Sequence, residues 1–191
     1  MARADLISGF KTIPGVSLRG SFFRAIPLVH ISSPLSAVGS LARGGRYNAA
    51  GGFEAFYIAR SPDTTLYELQ VISPRSAPTR TKPLITFTIE VDLQAVVDLT
   101  SRANVHALGL TPADLIVEWK AVLIAGGVPI THDIGSAARD AGVEAIIVPS
   151  ARQPGATNLV IFPDRLRHGS SVRIDPPDGF PPGTRLVISG P

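Results

Sequence analysis

Residues 44–68 read GGRYNAAGGFEAFYIARSPDTTLYE, and the layout of the chain follows from this stretch. The Gly44-Gly45 pair frees the backbone just ahead of Arg46. Glu54 to Ala59 (EAFYIA) carries the aromatic and branched residues of a strand. Ser61-Pro62-Asp63 then opens a helix, with Ser61 as N-cap, Pro62 at the first helical position and an acid in the first turn. That helix is expected to run through Leu66, Glu68 and Leu69 to about Val71. A strand, a tight turn and a helix fold back on themselves, so Glu68 returns to the neighbourhood of the strand that carries Tyr57. Arg46, Tyr57 and Glu68 are thus expected to meet.

Working outward, residues 1–19 read as a lead-in with turn signals at Pro14-Gly15 and Gly20, and Ser21 to Pro27 (SFFRAIP) as a short strand. The stretch from there to about Asn48 reads as a long structured loop, a feature that in compact domains is usually functional or disordered. Residues 73–82 form a loop with Arg75, Arg80 and Lys82. Leu84 to Val91 alternates as a half-buried strand, and Val96 to Leu99 reads as a separate, shorter one. Thr111-Pro112-Ala113-Asp114 starts a second helix whose apolar face holds Leu115, Ile116, Trp119, Val122 and Leu123, with Trp119 expected in the core. A third helix covers Thr131 to Ala141 and stops at Gly142. Ala145 to Pro149 and Leu159 to Phe162 read as buried strands, Val172 to Ile174 and Arg185 to Ile188 as edge strands. This order predicts one α+β domain over residues 1–191, its core at about 20–175, with mostly antiparallel strands. No GxGxxG opens a helix after a strand and no GxxxxGK[ST] occurs, so a nucleotide would not be held in the Rossmann or P-loop manner.

Composition narrows the chemistry. The 191 residues are 45% hydrophobic and 17% charged, which describes a folded chain, and none is cysteine, which removes disulfides, thiolate metal sites and a cysteine nucleophile. His30, His106, His132 and His168 are scattered without metal-ligand spacing, so no metal site is expected, and His132-Asp133 reads as a helix start. Ser150 lacks a GxSxG elbow. Asn158, just before a strand, reads as a turn cap. The longest apolar stretch, Ala121 to Ile130, is broken by Gly126, Gly127 and Pro129, and the N-terminus lacks a signal-peptide core. A cytoplasmic protein with no membrane attachment is the expectation. The net charge of +3 is dispersed, and it fits a small anionic ligand, nucleic acid or plain solubility. The best nucleic-acid patches, the Arg75–Lys82 loop and the Arg165, Arg167, His168 group, interleave no aromatics, so direct nucleic-acid binding is not expected.

A guanidinium, a phenol ring and a carboxylate around one site suit attack on a cationic N-glycoside. The arginine fork grips a diphosphate, the ring stacks on a planar cation, and the carboxylate stabilises the oxocarbenium-like charge as the base departs. The base leaves neutral, so no general acid is needed.

The strings Gly44-Gly45-Arg46-Tyr47-Asn48, Phe56-Tyr57-Ile58-Ala59-Arg60-Ser61-Pro62 and Leu66-Tyr67-Glu68, followed by Ile146-Ile147-Val148-Pro149-Ser150, resemble the signature of the RES domain family. The resemblance runs from about Phe22 to about Pro163. Two positions depart from the pattern: Tyr47 stands at a usual tryptophan, and Phe162-Pro163 at a usual asparagine-proline pair. The resemblance implies an ADP-ribosyltransferase-like fold with a split β-core and flanking helices, and a toxin of a bacterial toxin–antitoxin pair. Its substrate would be NAD, with no metal or other cofactor, split by water or phosphate. Transfer of ADP-ribose to a protein is the alternative. The implied partner is a cognate antitoxin with a helix-turn-helix DNA-binding region, in a homodimer or a hetero-oligomer with that antitoxin. Carried over by position, Arg46, Tyr57, Glu68 and Ser150 are the catalytic set, and Arg24, Gly45, Tyr47 and Asn48 the substrate-binding set. Two other classes stay open at this point: a basic RNA-binding or RNA-cleaving toxin, and an interaction domain without activity.

Overall fold

In the computed structural model, which describes residues 3–69, 83–175 and 178–191, seven strands form one sheet in the order β1-β2-β5-β4-β3-β6-β7. They are β1 (Val16–Pro27), β2 (Phe56–Ala59), β3 (Leu84–Asp98), β4 (Ala145–Pro149), β5 (Thr157–Ile161), β6 (Ser171–Asp175) and β7 (Val187–Ser189). A further pairing of β1 with β3 joins the ends of the first five strands into a ring. Every pairing is antiparallel except β3 with β4, as the mostly antiparallel reading expects. The basic loop read at 73–82 lies outside the described residues.

Two apolar clusters flank this sheet. One lies under the helices α1 (Arg3–Thr12), α4 (Arg102–Ala107), α5 (Pro112–Leu115) and α7 (Ile130–Asp140), built from Leu6, Phe10, Leu99, Leu115, Ile134 and Phe162 among others. The other fills the ring with Phe22, Phe56, Ile89, Leu93 and Leu159. The remaining helices are α2 (Val38–Arg43), α3 (Pro62–Glu68) and α6 (Trp119–Ile124). Ser61 caps α3 as its sequence predicts, its hydroxyl accepting the Thr64 N–H at 3.1 Å, with Pro62 next in line.

Several elements differ from the sequence reading. The lead-in is a helix: Leu6 and Phe10, one turn apart, are both buried, and β1 begins at Val16 rather than Ser21. The two strands read at 84–91 and 96–99 are one continuous β3. It is carried through a bulge, where the register against β1 shifts between Val16/Val96 and Leu18/Leu93. The fully buried Glu144 carboxylate sustains that bulge. Its Oε2 accepts the N–H groups of Gln94 and Ala95 at 2.6 Å each, and its Oε1 accepts that of Arg167 at 2.7 Å. The second helix is broken into α5 and α6 by residues 116–118, where Arg46 donates to the Val117 carbonyl. No helix among the described residues is long and apolar enough to cross a membrane.

Candidate functional site

The arrangement of the site begins with a turn that only glycine can make. Gly44 sits at a φ of 72°, in the left-handed region, and Gly45 donates its N–H to the Asn48 carbonyl at 2.9 Å. A Cβ on Gly45 would lie 2.5 Å from the Tyr57 hydroxyl, so any side chain there would collide with the ring behind it. That hydroxyl accepts the Tyr47 N–H at 3.0 Å and donates to Asn48 Oδ1 at 2.8 Å. Burial pushes the Tyr57 phenol far above its ordinary range, so it stays neutral and fully engaged. What Tyr57 offers a ligand is its ring.

Tyr47 and Asn48, read as substrate contacts, do not reach the cleft. Tyr47 is 1% exposed in the core and donates its hydroxyl to the Leu115 carbonyl at 3.1 Å. Asn48 is fully buried, its amide donating to the carbonyls of Ser40 (2.8 Å) and Phe53 (3.0 Å) while its oxygen takes the Tyr57 proton. Both side chains build the turn, and their donors are all spent within the protein. His132, from the first turn of α7, adds a bond from its Nε2–H to the Gly45 carbonyl at 2.9 Å.

The turn projects Arg46 into a cleft of about 780 Å³ that Arg24, Gly45, Tyr57 and Glu68 also line. Arg46 and Glu68 therefore share one cavity, as the spacing argument requires. Glu68 is the last residue of α3, and its Oε1 accepts two bonds: from the Ser150 hydroxyl at 2.6 Å and from the Asn158 amide at 2.7 Å. These donors come from the loop leaving β4 and from β5, whose pairing sets Val148 opposite Asn158. Oε2 accepts from no described residue. Ser150 lies behind the carboxylate rather than on the cleft wall. Its Oγ also accepts the N–H groups of Arg152 (3.2 Å) and Gln153 (3.1 Å), so it acts on a ligand only through Glu68.

Asn158, read as a turn cap, lines the cleft and holds Glu68. Its role depends on β5 pairing with β2, which sets Asn158 opposite Ala59, a tertiary fact without a local signal. Trp119, read as core, is half-buried on the cleft wall and packs against His132 with ring centroids 5.9 Å apart. The break between α5 and α6 turns it outward.

Arg24 projects from β1 over the Phe56 ring, 4.1 Å from its centroid, and donates from Nη2 to the Ser36 carbonyl at 2.8 Å. Its Nη1 is buried and has no hydrogen-bond partner among the described residues. Burial lowers the Arg24 pKa to about 10. A buried cation with a donor to spare is what an anionic ligand would satisfy. Among the described residues, the lining holds five lysines and arginines, Arg24, Arg43, Arg46, Lys120 and Arg152, against one acid, Glu68.

Fold and site together define an α+β protein with a cleft that surrounds a carboxylate with guanidinium groups and an aromatic face, a lining suited to an anionic, ring-bearing ligand. The chain belongs to the RES domain family, whose profile matches residues 21–182. It is 29% identical over 184 residues to the probable NAD(+) phosphorylase Rv3189 of Mycobacterium tuberculosis (strain ATCC 25618 / H37Rv), a match covering 93% of this chain and 81% of that protein. Its fold is similar to a chain in the crystal structure of the M. tuberculosis MbcT–MbcA toxin–antitoxin complex, with a TM-score of 0.66 and 24% identity over 85% of each chain.

Proposed function

We propose that this protein consumes NAD as a toxin, breaking the bond between nicotinamide and ribose and passing the ADP-ribosyl group to phosphate or water. The observation that carries the reading is the Glu68 carboxylate, fixed through Oε1 by Ser150 and Asn158 with no described donor on Oε2, in the same cleft as Arg24, Arg46 and the Tyr57 ring. NAD matches this lining part by part. Its diphosphate meets the two arginines, its cationic nicotinamide lies on the aromatic face, and the ribose between them comes beside Glu68. As the C1″–N bond breaks, its electron pair leaves with nicotinamide, which becomes neutral. Positive charge grows on the ribose, and Glu68 stabilises it there. The acceptor oxygen then bonds to C1″. On this reading NAD is substrate rather than cofactor, and the carboxylate supplies the stabilisation without a resident metal. The name of the 29%-identical relative, a probable NAD(+) phosphorylase, supports both the substrate and phosphate as acceptor.

A cognate antitoxin is part of the proposal, supported by the solved complex whose fold this chain resembles, and a helix-turn-helix region in that partner is its finer expectation. The RNA-directed alternative is not favoured, because the cations gather in a cleft around an acid rather than along an open stripe. Purified protein is expected to release nicotinamide from NAD, and Glu68→Gln to cut that release by about 100-fold or more with an unchanged melting profile. Turnover of the folded variant at the parent rate would refute the reading.

A further inference from the structure

The five cleft cations are not equivalent. Arg24 donates from Nη2 to the Ser36 carbonyl and lies over the Phe56 ring, Arg46 is committed to the Val117 carbonyl, Lys120 stands over the Trp119 ring at 5.6 Å, and Arg43 belongs to the last turn of α2, a different element from the loop that carries Ser150. Among the described residues, the Arg152 guanidinium has only a loose partner. Its Nη2 lies 4.0 Å from Glu118 Oε2, with the Glu118 side chain 61% exposed. The main chain of Arg152 is nonetheless tightly placed. Its N–H donates to the same Ser150 oxygen that donates to Glu68, which anchors this residue beside the carboxylate.

On the reading that NAD is split here, the acceptor has an electrostatic problem. Phosphate is a dianion near neutral pH, and it must approach a ribose flanked by the Glu68 carboxylate and the diphosphate of NAD. Both repel it. Water meets no such barrier. A cation at the Glu68 end is therefore needed for phosphate and dispensable for water, and a planar guanidinium suits an oxyanion. We infer that Arg152 receives inorganic phosphate as the acceptor beside Glu68, with Glu118 as its partner while the subsite is empty, so that this residue decides between phosphorolysis and hydrolysis. A phosphate oxygen bonds to C1″, the C1″–N bond breaks, its electrons leave with neutral nicotinamide, and the product is ADP-ribose-1″-phosphate with no proton to be removed. When water attacks instead, a proton is released, and Glu68 is placed to take it.

The experiment measures nicotinamide release from the wild-type protein, Arg152→Gln, Arg152→Lys and Glu118→Gln while NAD and inorganic phosphate are varied, with ADP-ribose and ADP-ribose-1″-phosphate separated by chromatography. Arg152→Gln is expected to raise the KM for phosphate relative to that for NAD by about tenfold or more and to shift the product towards ADP-ribose. Arg152→Lys, which keeps the charge, restores part of the phosphate product, and Glu118→Gln, which removes the competing carboxylate, lowers the KM for phosphate. An unchanged product ratio in folded Arg152→Gln overturns the inference. So does an equal rise in both KM values, which would place Arg152 on the dinucleotide. If the wild-type protein yields only ADP-ribose in saturating phosphate, the inference falls while the NAD reading stands. If it releases no nicotinamide at all, the NAD reading itself falls.

Discussion

Removing the Ser150 hydroxyl should slow the reaction without loosening the substrate. Ser150→Ala deletes one of two donors to Glu68 Oε1, the one at 2.6 Å, and leaves Asn158 at 2.7 Å. A hydrogen bond to a charged group contributes about 1.5–3 kcal/mol. At about 1.4 kcal/mol per factor of ten, its full loss corresponds to roughly 10- to 150-fold in rate. The remaining Asn158 bond keeps the carboxylate partly oriented, so the lower part of that range, about 10- to 50-fold in kcat, is expected. The KM for NAD should hardly move, since the serine does not line the cleft. Arg152 and Gln153 also lose an acceptor for their N–H groups, and the melting temperature should fall by a few degrees. Steady-state nicotinamide release, run beside Asn158→Ala and the double variant, gives the test. The two donors share one oxygen, so the double variant should lose more than the sum of the single losses predicts. If Ser150→Ala keeps the parent kcat, or if its whole loss lies in KM, the carboxylate is not held in the way described.

Three further outcomes follow from the same geometry. Glu144→Gln should cost about 2–4 kcal/mol, because the amide cannot accept all three N–H groups that the buried carboxylate serves. Calorimetry should record a fall of about 4–16 °C in Tm. Gly45→Ala sets a methyl against the Tyr57 hydroxyl, at 2.5 Å before relaxation, and should raise the KM for NAD several-fold while the far-ultraviolet spectrum is retained. Burial raises the phenols of Tyr47 and Tyr57 above their ordinary value of 10.0, so the folded state binds more protons than the unfolded state above that pH. Their contribution to stability is present below pH 10 and is lost as pH rises further. Denaturant melts should weaken steadily above pH 10, with phenolate absorbance from these two residues appearing only on unfolding.

Where a local rule governs, the sequence is a good guide. Ser61-Pro62 starts α3 in the structure as the capping chemistry demands, and the strand read at Glu54 to Ala59 is present as Phe56–Ala59, carrying Tyr57. The reading fails where distant groups decide. Alternation lapses around Gln94, so β3 reads as two strands, yet Glu144, about fifty residues on, satisfies the bulge and keeps the strand whole. The apolar stripe from Leu115 to Leu123 promises one helix, but Arg46 takes the Val117 carbonyl and the helix breaks. The helix at Arg3–Thr12 had a legible signal in Leu6 and Phe10, one turn apart, obscured by polar neighbours. In the site, the sequence places Arg46, Tyr57 and Glu68 together because a short strand–turn–helix unit connects them. It does not separate Arg46, which faces the cleft, from Tyr47 and Asn48, which face the protein, because the side a turn residue faces depends on what packs behind it. Asn158 is hidden for the same reason.

The two groups that orient Glu68 lie 82 and 90 positions further along the chain. Synthesis therefore delivers the carboxylate long before anything can aim it, and a growing chain still short of residue 158 holds an unassembled centre. Whatever reaction the cleft performs becomes available only when β4 and β5 have emerged and paired, late in the life of the nascent polypeptide.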